Sequence, residues 1–280
     1  MNEGREAFPE QRSWVAMSKL RMSLTLILVV SVLFSACSQS KKESQDPQKT
    51  APEPLRVGMS PDYPPMIFMQ EGKYAGVEAD FARGLAREFM RPLLFVPMRW
   101  EQLIPALMDG KVDLIMSGMT ATLARKMRID FTEPYFTARL VAAMRAVDKG
   151  KYDSRESILQ TQGSVGVIPG TTADAFVQRN MPKARRVAIA EVRHAALELK
   201  TMKIDLFISD GPAVVWLVSE NEGELAGFWE ALSEEPLAWG VRRGDREMLT
   251  AVNGILEKWK GDGTVDEVLN RWLPYLERIK

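Results

Sequence analysis

A short polar loop that follows an apolar run carries the side chains best suited to chemistry. The largely apolar run from Val112 to Met116 predicts a buried strand, and it leads directly into Ser117-Gly118-Met119-Thr120, with Arg125 five residues later. Hydroxyl groups and backbone amides donate hydrogen bonds, and a glycine lets a ligand approach the backbone. Arginine adds a planar pair of donors that matches a carboxylate. The pattern therefore predicts a site for a small carboxylate.

The elements around this loop alternate between strands and helices. Apolar residues recur every four positions on one face of the predicted helix from Val77 to Met90, as expected for an amphipathic helix. The sequence also predicts strands over 55–59, 94–98 and 112–116 and a helix over 101–108. Such alternation indicates an α/β domain with a largely parallel sheet. Ligands bind beyond the carboxyl ends of strands in such sheets, which is where Ser117 to Thr120 lie.

A second α/β unit is predicted to begin near Ala142. It repeats the pattern of the first, because Lys203-Ile-Asp-Leu-Phe-Ile-Ser209 resembles Lys111-Val-Asp-Leu-Ile-Met-Ser117. The predicted strands cover 164–168, 187–189, 204–209 and 237–241, and the predicted helices cover 173–180, 194–202, 212–220 and 248–260. A capping box from Thr264 to Glu267 is expected to open a last helix. Together these patterns predict two similar lobes that face each other.

Composition excludes several classes of function. Lys and Arg together number 37, as do Asp and Glu, in a chain of 280 residues. No net charge therefore favours nucleic acid or another polyanion. The chain has one cysteine and one histidine, so an internal disulfide is excluded and neither a metal site nor a cofactor is expected.

The N-terminal residues read as a targeting segment. Leu24 to Phe34 is apolar or small throughout and follows Lys19 and Arg21, which is typical of a secretory signal peptide. It ends in Leu33-Phe-Ser-Ala-Cys37, which resembles a bacterial lipobox and predicts a signal peptide over 1–36 with lipidation of Cys37. The alternative is a plain secretory signal. Because the first fifteen residues contain acidic side chains, translation starting at Met1, Met17 or Met22 stays open.

The next segment reads as a flexible tether over 37–54. It contains almost no apolar residue and is too polar to fold alone. A soluble domain held at the cell envelope by a lipid is therefore expected, facing the periplasm, or the exterior in a Gram-positive organism. Inner and outer membrane destinations both stay open.

Over Leu55 to Leu276 the chain resembles the bacterial extracellular solute-binding proteins of family 3, the periplasmic amino-acid-binding components of ABC transporters. Eight segments carry the resemblance in family order: Leu55–Gly58, Tyr63–Pro65, Gly76–Phe81, Leu103–Leu107, Gly110–Phe136, Pro169–Thr172, Ile204–Asp205 with Asp210, and Gly261–Thr264 before Trp272. The resemblance implies a type II periplasmic binding protein fold, with two α/β lobes joined by two hinge strands. The expected lobes are 55–139 with 238–280, and 140–237.

The resemblance also implies which residues hold the carboxylate end of an amino acid. Arg125 matches the arginine that pairs with the ligand's α-carboxylate. Ser117 and Thr120 match hydrogen-bonding positions of the loop, and Gly118 is a common variant there. Thr172, at the start of a helix, matches a contact from the second lobe, and a helix N-terminus favours an anion.

The same resemblance implies an acid for the ligand's ammonium group and a pocket for its side chain. Asp210 matches the acid, and Tyr63 and Trp100 match pocket positions. A zwitterion needs a cation at one end and an anion at the other, because burying an unpaired charge is costly. The full expected set adds two neighbours of these residues, Met119 and Thr171.

Each of these residues has a plainer interpretation. Arg125 could be a surface residue of a helix, and Asp210 could be a helix cap ahead of Pro212. Thr171 or Thr172 could be an N-cap, and Tyr63 and Trp100 could be core aromatics. Glu78 and Asp80 suggest a catalytic pair, but we expect them to cap a helix.

The side chain of the ligand is only weakly constrained. Members that bind lysine or arginine carry an acid three residues before the tyrosine, where this chain has Ser60. This difference disfavours a cationic ligand, and Asp62 between two prolines is expected to be a turn residue. A polar or neutral amino acid is therefore expected, with delivery to a membrane ABC permease by a monomer.

Two other functions stay open at this stage. A few relatives of the fold are dehydratases for prephenate-like or arogenate-like acids, which need a proton donor in the cleft, and Glu101 is the candidate. The chain could also be a sensor that reports a bound ligand to a membrane receptor.

Overall fold

The structure is a computed structural model, and it describes residues 52–275. The predicted signal peptide, Cys37 and nearly all of the tether lie outside the described residues. Within the described part, no helix is both long and apolar enough to cross a membrane.

Thirteen strands, nine α-helices and two short 3-10 helices, Trp100–Gln102 and Ala146–Asp148, lie within residues 52–275. The strands are β1 Leu55–Met59, β2 Asp62–Tyr63, β3 Ile67–Gln70, β4 Lys73–Ala75, β5 Leu93–Pro97, β6 Leu114–Ile115, β7 Asp130–Phe131, β8 Phe136–Arg145, β9 Ser164–Val167, β10 Arg185–Ala188, β11 Leu206–Asp210, β12 Leu225–Leu237 and β13 Gly240–Val241. The helices are α1 Val77–Glu88, α2 Leu103–Met108, α3 Leu123–Lys126, α4 Arg155–Leu159, α5 Thr172–Asn180, α6 Val192–Lys200, α7 Gly211–Ser219, α8 Arg246–Gly261 and α9 Thr264–Trp272.

The strands form two five-stranded sheets and one small antiparallel sheet. The first large sheet has the order β5-β1-β6-β13-β7, in which β1 runs parallel to β5 and β6. The second has the order β10-β9-β11-β8-β12, in which β9 runs parallel to β10 and β11. The small sheet, β2-β3-β4, lies within the first lobe. Each large sheet with its helices forms one α/β lobe.

Two long antiparallel strands connect the lobes. β8 and β12 pair from Phe136 with Leu237 through to Arg145 with Leu225, with a register shift between Phe228 and Ser233. β8 follows β7 of the first sheet, and β12 leads into β13 of the same sheet. The sequence pattern did not predict β12, because its partly buried residues do not alternate regularly.

The core of the first lobe is rich in aromatic residues beside these connections. Phe81 of α1 packs against Tyr135, Trp239 and Trp259, with ring centroids 5.4, 5.4 and 6.0 Å away. The predicted four-residue spacing of α1 is what turns Phe81 and Leu85 inward, where both are buried. This packing fixes α1 against the strands that enter and leave the second lobe.

Two predictions about helix starts are wrong. The last helix begins after Gly263, whose left-handed backbone (φ 83°) precedes Thr264, so Thr264 is not its cap. Glu78 and Asp80 do not cap α1, which follows Gly76 and has no side-chain cap. Glu78 bonds to the interior of the lobe instead, and Asp80 accepts from Arg271 and other surface donors.

Candidate functional site

A cavity of about 590 Å³ lies between the lobes. Nine of the ten predicted ligand-binding residues line it: Tyr63, Trp100, Ser117, Gly118, Thr120, Arg125, Thr171, Thr172 and Asp210. The tenth, Met119, does not line the cavity; it is buried in a first-lobe cluster with Leu103 and Ile115. The alternation of buried strand ends and loops thus brings residues from distant parts of the chain to one cleft.

Arg125 lies on α3 with its guanidinium held in the cleft. It donates to the carbonyl oxygen of Thr120 at 2.9 Å and, across the cleft, to that of Gly170 at 3.3 Å. Its Cζ lies 5.1 Å from the centre of the Trp100 ring, within range of a cation–π contact. Burial lowers the pKa of Arg125, while Asp210 and Glu235 oppose that change. These bonds aim a half-buried cation at the cavity, which the plainer surface interpretation does not explain.

Gly118, in the polar loop before α3, has a structural role besides the predicted one of letting a ligand approach the backbone. Gly118 has a left-handed backbone (φ 61°), and a Cβ atom there would lie 2.6 Å from Cε1 of Tyr63. The glycine therefore makes room for the Tyr63 ring as well as permitting the turn. The hydroxyl of Ser117 accepts from the amide of Ser60 at 3.0 Å. Ser117 and Thr120 are nearly fully buried.

A buried carboxylate supports this loop from behind. Glu78 is fully buried and accepts from the Gly118 amide at 2.5 Å, from the Tyr135 hydroxyl at 2.9 Å and from the Trp239 indole at 2.8 Å. Burial raises the pKa of Glu78 to about 7, although its three hydrogen bonds act in the opposite direction. The sequence reasoning missed this role, because the three donors come from separate parts of the chain.

Asp210 lies opposite Arg125, at the end of β11 in the second lobe. It occupies the N-cap position of α7, but its side chain makes no capping bond. It accepts instead from the hydroxyl of Tyr63, which belongs to the first lobe. Its Oδ1 atom is buried and has no hydrogen-bond partner among the described residues. Burial, and next Glu235, raise the pKa of Asp210 to about 7 against the lowering effects of Tyr63 and Arg125.

The start of α5 forms the facing wall of the second lobe. Thr171 is the N-cap: its hydroxyl accepts from the Asp174 amide at 3.2 Å and donates to the Ile168 carbonyl at 2.7 Å. Thr172 is the first helical residue, with its amide at the positive end of the helix. Trp100 donates its indole N–H to the Gly170 carbonyl at 3.2 Å. The plain N-cap interpretation therefore holds for Thr171, while Thr172 stays available to a ligand.

The cavity also contains acidic residues outside the predicted set. Asp62, expected in a turn, lies in β2 and lines the cavity, as do Glu101 and Glu191. Nothing in the sequence singled out Glu191, because its approach to Asp62 depends on how the lobes meet. Among residues 52–275, no group of His, Cys, Asp and Glu side chains is arranged to hold a metal ion.

The family model of the bacterial extracellular solute-binding proteins, family 3, matches residues 55–275. A relative in Escherichia coli (strain K12), named as an arginine-binding protein of an ABC transporter, is 29% identical over 229 residues, covering 80% of this chain and 92% of its own length. A probable histidine-binding protein of Neisseria gonorrhoeae is 27% identical, covering 93% of this chain and 95% of its own length.

A solved structure has the same arrangement of lobes. The ancestral amino acid-binding protein AncCDT-1, described as a precursor of cyclohexadienyl dehydratase, is 34% identical to this chain. It superposes with a TM-score of 0.73 and covers 78% of this chain and 94% of its own length. The predicted fold, two α/β lobes joined by two strands, is therefore confirmed.

Proposed function

The chain belongs to the bacterial extracellular solute-binding proteins of family 3, and on that premise we propose that Arg125 and Asp210 bind the two ends of one free amino acid. It is an amino-acid-binding protein of the ABC-transporter type, located in the cell envelope, and it interacts with a membrane permease. Arg125 would take the α-carboxylate with Ser117, Thr120 and Thr172, and Asp210 would take the α-ammonium group.

One observation carries this proposal. The buried Oδ1 atom of Asp210 has no partner among the described residues, although it lines the same cavity as the guanidinium of Arg125. A buried carboxylate oxygen without a hydrogen-bond partner is destabilising, and a cationic donor supplied by a ligand removes that cost. Because Arg125 and Asp210 lie on different lobes, a zwitterion that contacts both favours the closed arrangement.

The test is amino-acid binding by the purified full-length protein. A panel of common amino acids in thermal unfolding finds the ligand, because a ligand at a hundred times its dissociation constant adds about 2.7 kcal/mol of stability. Arg125→Ala is then expected to lose about 3–5 kcal/mol of binding, roughly a hundred- to several-thousand-fold in affinity. Lys126→Ala, the next residue of the same helix and exposed, is the matched control. Unchanged binding by Arg125→Ala in calorimetry contradicts the assignment.

We propose that the protein binds without catalysing a reaction. The candidate proton donor, Glu101, is exposed and forms an ion pair with Arg99 at 3.1 Å, so it lacks the buried environment of a general acid with a raised pKa. The relation to a precursor of cyclohexadienyl dehydratase makes a direct test worthwhile. Incubation with prephenate should yield no phenyl product by ultraviolet absorbance, and steady formation of one would refute the proposal.

We also propose that the protein acts as a monomer, and that its lobes comprise residues 55–139 with 238–280 and residues 140–237.

We further propose that Cys37 carries the lipid anchor. The support for the anchor is the lipobox-like sequence at the only cysteine of the chain. Cys37→Ser should move the protein from the membrane fraction to the soluble envelope fraction, with amino-acid binding unchanged. Continued membrane association of that variant contradicts the anchor.

A further inference from the structure

Two carboxylates from different lobes line the cavity where β2 and α6 meet. Asp62 is on β2 in the first lobe, and Glu191 precedes α6 in the second; both line the cavity that contains Arg125 and Asp210. β2 and α6 are in contact. The two side chains are therefore placed where the lobes meet, in the same cleft as the site for the amino-acid backbone.

Neither carboxylate is bonded to a cationic side chain among the described residues. Glu191 occupies the N-cap position of α6, yet its side chain makes no capping bond, and neither it nor Asp62 forms a side-chain hydrogen bond or ion pair within residues 52–275. Two nearby residues carry positive or titratable groups. Arg193 stacks on Trp216, with Cζ 5.0 Å from the ring centre, and His194 is exposed.

The charges repel across the cleft. Asp62 is an exposed residue at the rim of the cavity, and partial desolvation, followed by the charge of Glu191, raises its pKa; Arg193 and His194 act in the opposite direction without cancelling the rise. Like charges that approach as the lobes close disfavour the closed state. A positive group placed between them would remove that repulsion and would favour closure instead.

The charge balance of the whole cavity leads to the same result. Its lining contains two guanidiniums and four carboxyl groups: Arg99, Arg125, Asp62, Glu101, Glu191 and Asp210. Arg99 and Glu101 pair with each other. The proposed contacts of a ligand's carboxylate with Arg125 and of its ammonium group with Asp210 neutralise one more residue of each sign. Asp62 and Glu191 are then the two acids left over.

We propose that the ligand is an amino acid with a second positive charge at the end of its side chain, and that Asp62 and Glu191 are the residues that select it. This inference rests on the proposed function, since it needs the backbone of the ligand at Arg125 and Asp210. A cavity of about 590 Å³ accommodates a long side chain. Asp62 lies in β2 beside the cavity rather than in a turn, and so supplies the acid that is absent at Ser60.

The first test compares ligands of matched shape that differ in charge. Calorimetry on the full-length protein measures arginine against citrulline and lysine against norleucine. We expect the cationic member of at least one pair to bind at least about tenfold more tightly than its neutral partner, with a preference that shrinks as salt is added. Neutral members that bind as tightly as the cationic ones overturn the inference and leave the proposed function intact. If no amino acid binds, the proposed function itself fails.

The second test assigns the preference to the two acids. Asp62→Asn and Glu191→Gln should each reduce the arginine-to-citrulline or lysine-to-norleucine preference by roughly two- to fivefold. Glu220→Gln changes an exposed acid of the second lobe that does not line the cavity, and it serves as the matched control. The neutral ligands report whether each variant still folds and binds, because their affinities should hold or improve. An undiminished preference in the double variant Asp62→Asn/Glu191→Gln overturns the inference.

Discussion

Replacing Glu78, the buried carboxylate behind the loop from Ser117 to Thr120, should change how the stability of the protein depends on pH. The pKa of Glu78 is about 7 in the folded protein, against an ordinary value of 4.5. Below pH 4.5 both the folded and the unfolded states hold the proton. Between pH 4.5 and 7 only the folded state does, so the free energy of unfolding falls as pH rises through this window. At about 1.4 kcal/mol per pH unit, the fall due to this one group is roughly 3 kcal/mol.

Glu78→Gln should remove that fall at the expense of one hydrogen bond. The Glu78 carboxylate accepts hydrogen bonds from three donors. A glutamine side chain at this position can keep its oxygen on the Gly118 amide and the Tyr135 hydroxyl, but its NH2 group then faces the indole N–H of Trp239 and cannot accept from it. Leaving that buried N–H unsatisfied costs about 2 kcal/mol at any pH. The variant is thus expected to be about 2 kcal/mol less stable than the unsubstituted protein at pH 4.5, and about 1 kcal/mol more stable at pH 8.

Urea unfolding between pH 4.5 and 8, followed by tryptophan fluorescence, measures this crossing. The difference between the two proteins isolates Glu78, because other titrating groups such as Asp210 contribute equally to both. Glu88→Gln, on the same helix, is the control. Because Lys258 lowers the pKa of Glu88, this substitution should change the free energy of unfolding by the same amount at every pH above 5. Tyr135→Phe removes one donor and should extend the fall to higher pH. Parallel curves for Glu78→Gln and the unsubstituted protein would refute the reasoning.

Three further results follow from the geometry of the cleft. Gly118→Ala should destabilise the protein by roughly 1–3 kcal/mol and weaken ligand binding, because the new methyl group meets the Tyr63 ring on a left-handed backbone. Urea unfolding measures the loss of stability. The control is Gly254→Ala, in a helix where the added atom meets nothing; this variant should be more stable, because alanine favours a helix more than glycine does. Ligand binding should release a proton at pH 6, because the ligand's ammonium group favours the charged form of Asp210, whose pKa is about 7. As the pH is raised toward 7, the affinity should increase about tenfold per pH unit, and above 7 it should level off. Calorimetry in buffers of different ionisation enthalpy detects the released proton, and an affinity that does not depend on pH contradicts this role of Asp210. Tyr63→Phe removes the hydrogen bond that lowers the pKa of Asp210, so the midpoint of that pH dependence should move upward; an unmoved midpoint shows that Tyr63 does not act on Asp210.

The sequence predicted those parts of the fold in which local patterns agree with tertiary structure. The four-residue spacing in α1 and the paired motifs before Ser117 and Ser209 were enough to predict two α/β lobes. The local patterns predicted neither long strand, β8 nor β12, because both pass between the lobes and the burial of β12 does not alternate. The last helix was placed correctly but given the wrong cap, because Gly263 supplies a turn that the capping-box pattern does not require.

The site was predictable as a set of residues but not as a network. Cavity-lining residues such as Ser117 and Asp210 lie at the ends of strands, where the order of elements predicts them. Their supports come from elsewhere in the chain: Glu78 holds the Gly118 amide from 40 positions away, and Trp239 bonds to Glu78 from 161 positions away. Such bonds depend on how complete elements pack, and no local spacing encodes them. The same holds for Glu191, which approaches Asp62 only through the meeting of the two lobes.

The contacts across the cleft divide into two kinds, and a ligand acts differently on each. Tyr63 donates to Asp210, and both Arg125 and Trp100 donate to the carbonyl of Gly170; these bonds favour closure and already aim the charged groups at the cavity. The unpartnered Oδ1 atom of Asp210 opposes closure, as does the repulsion at Asp62. A ligand can shift the balance between the open and closed states only by the difference in its affinity for them. The positive charges of the proposed ligand act on the contacts that oppose closure, at Asp210 and Asp62. Closure should therefore follow the charge of the ligand more closely than its size.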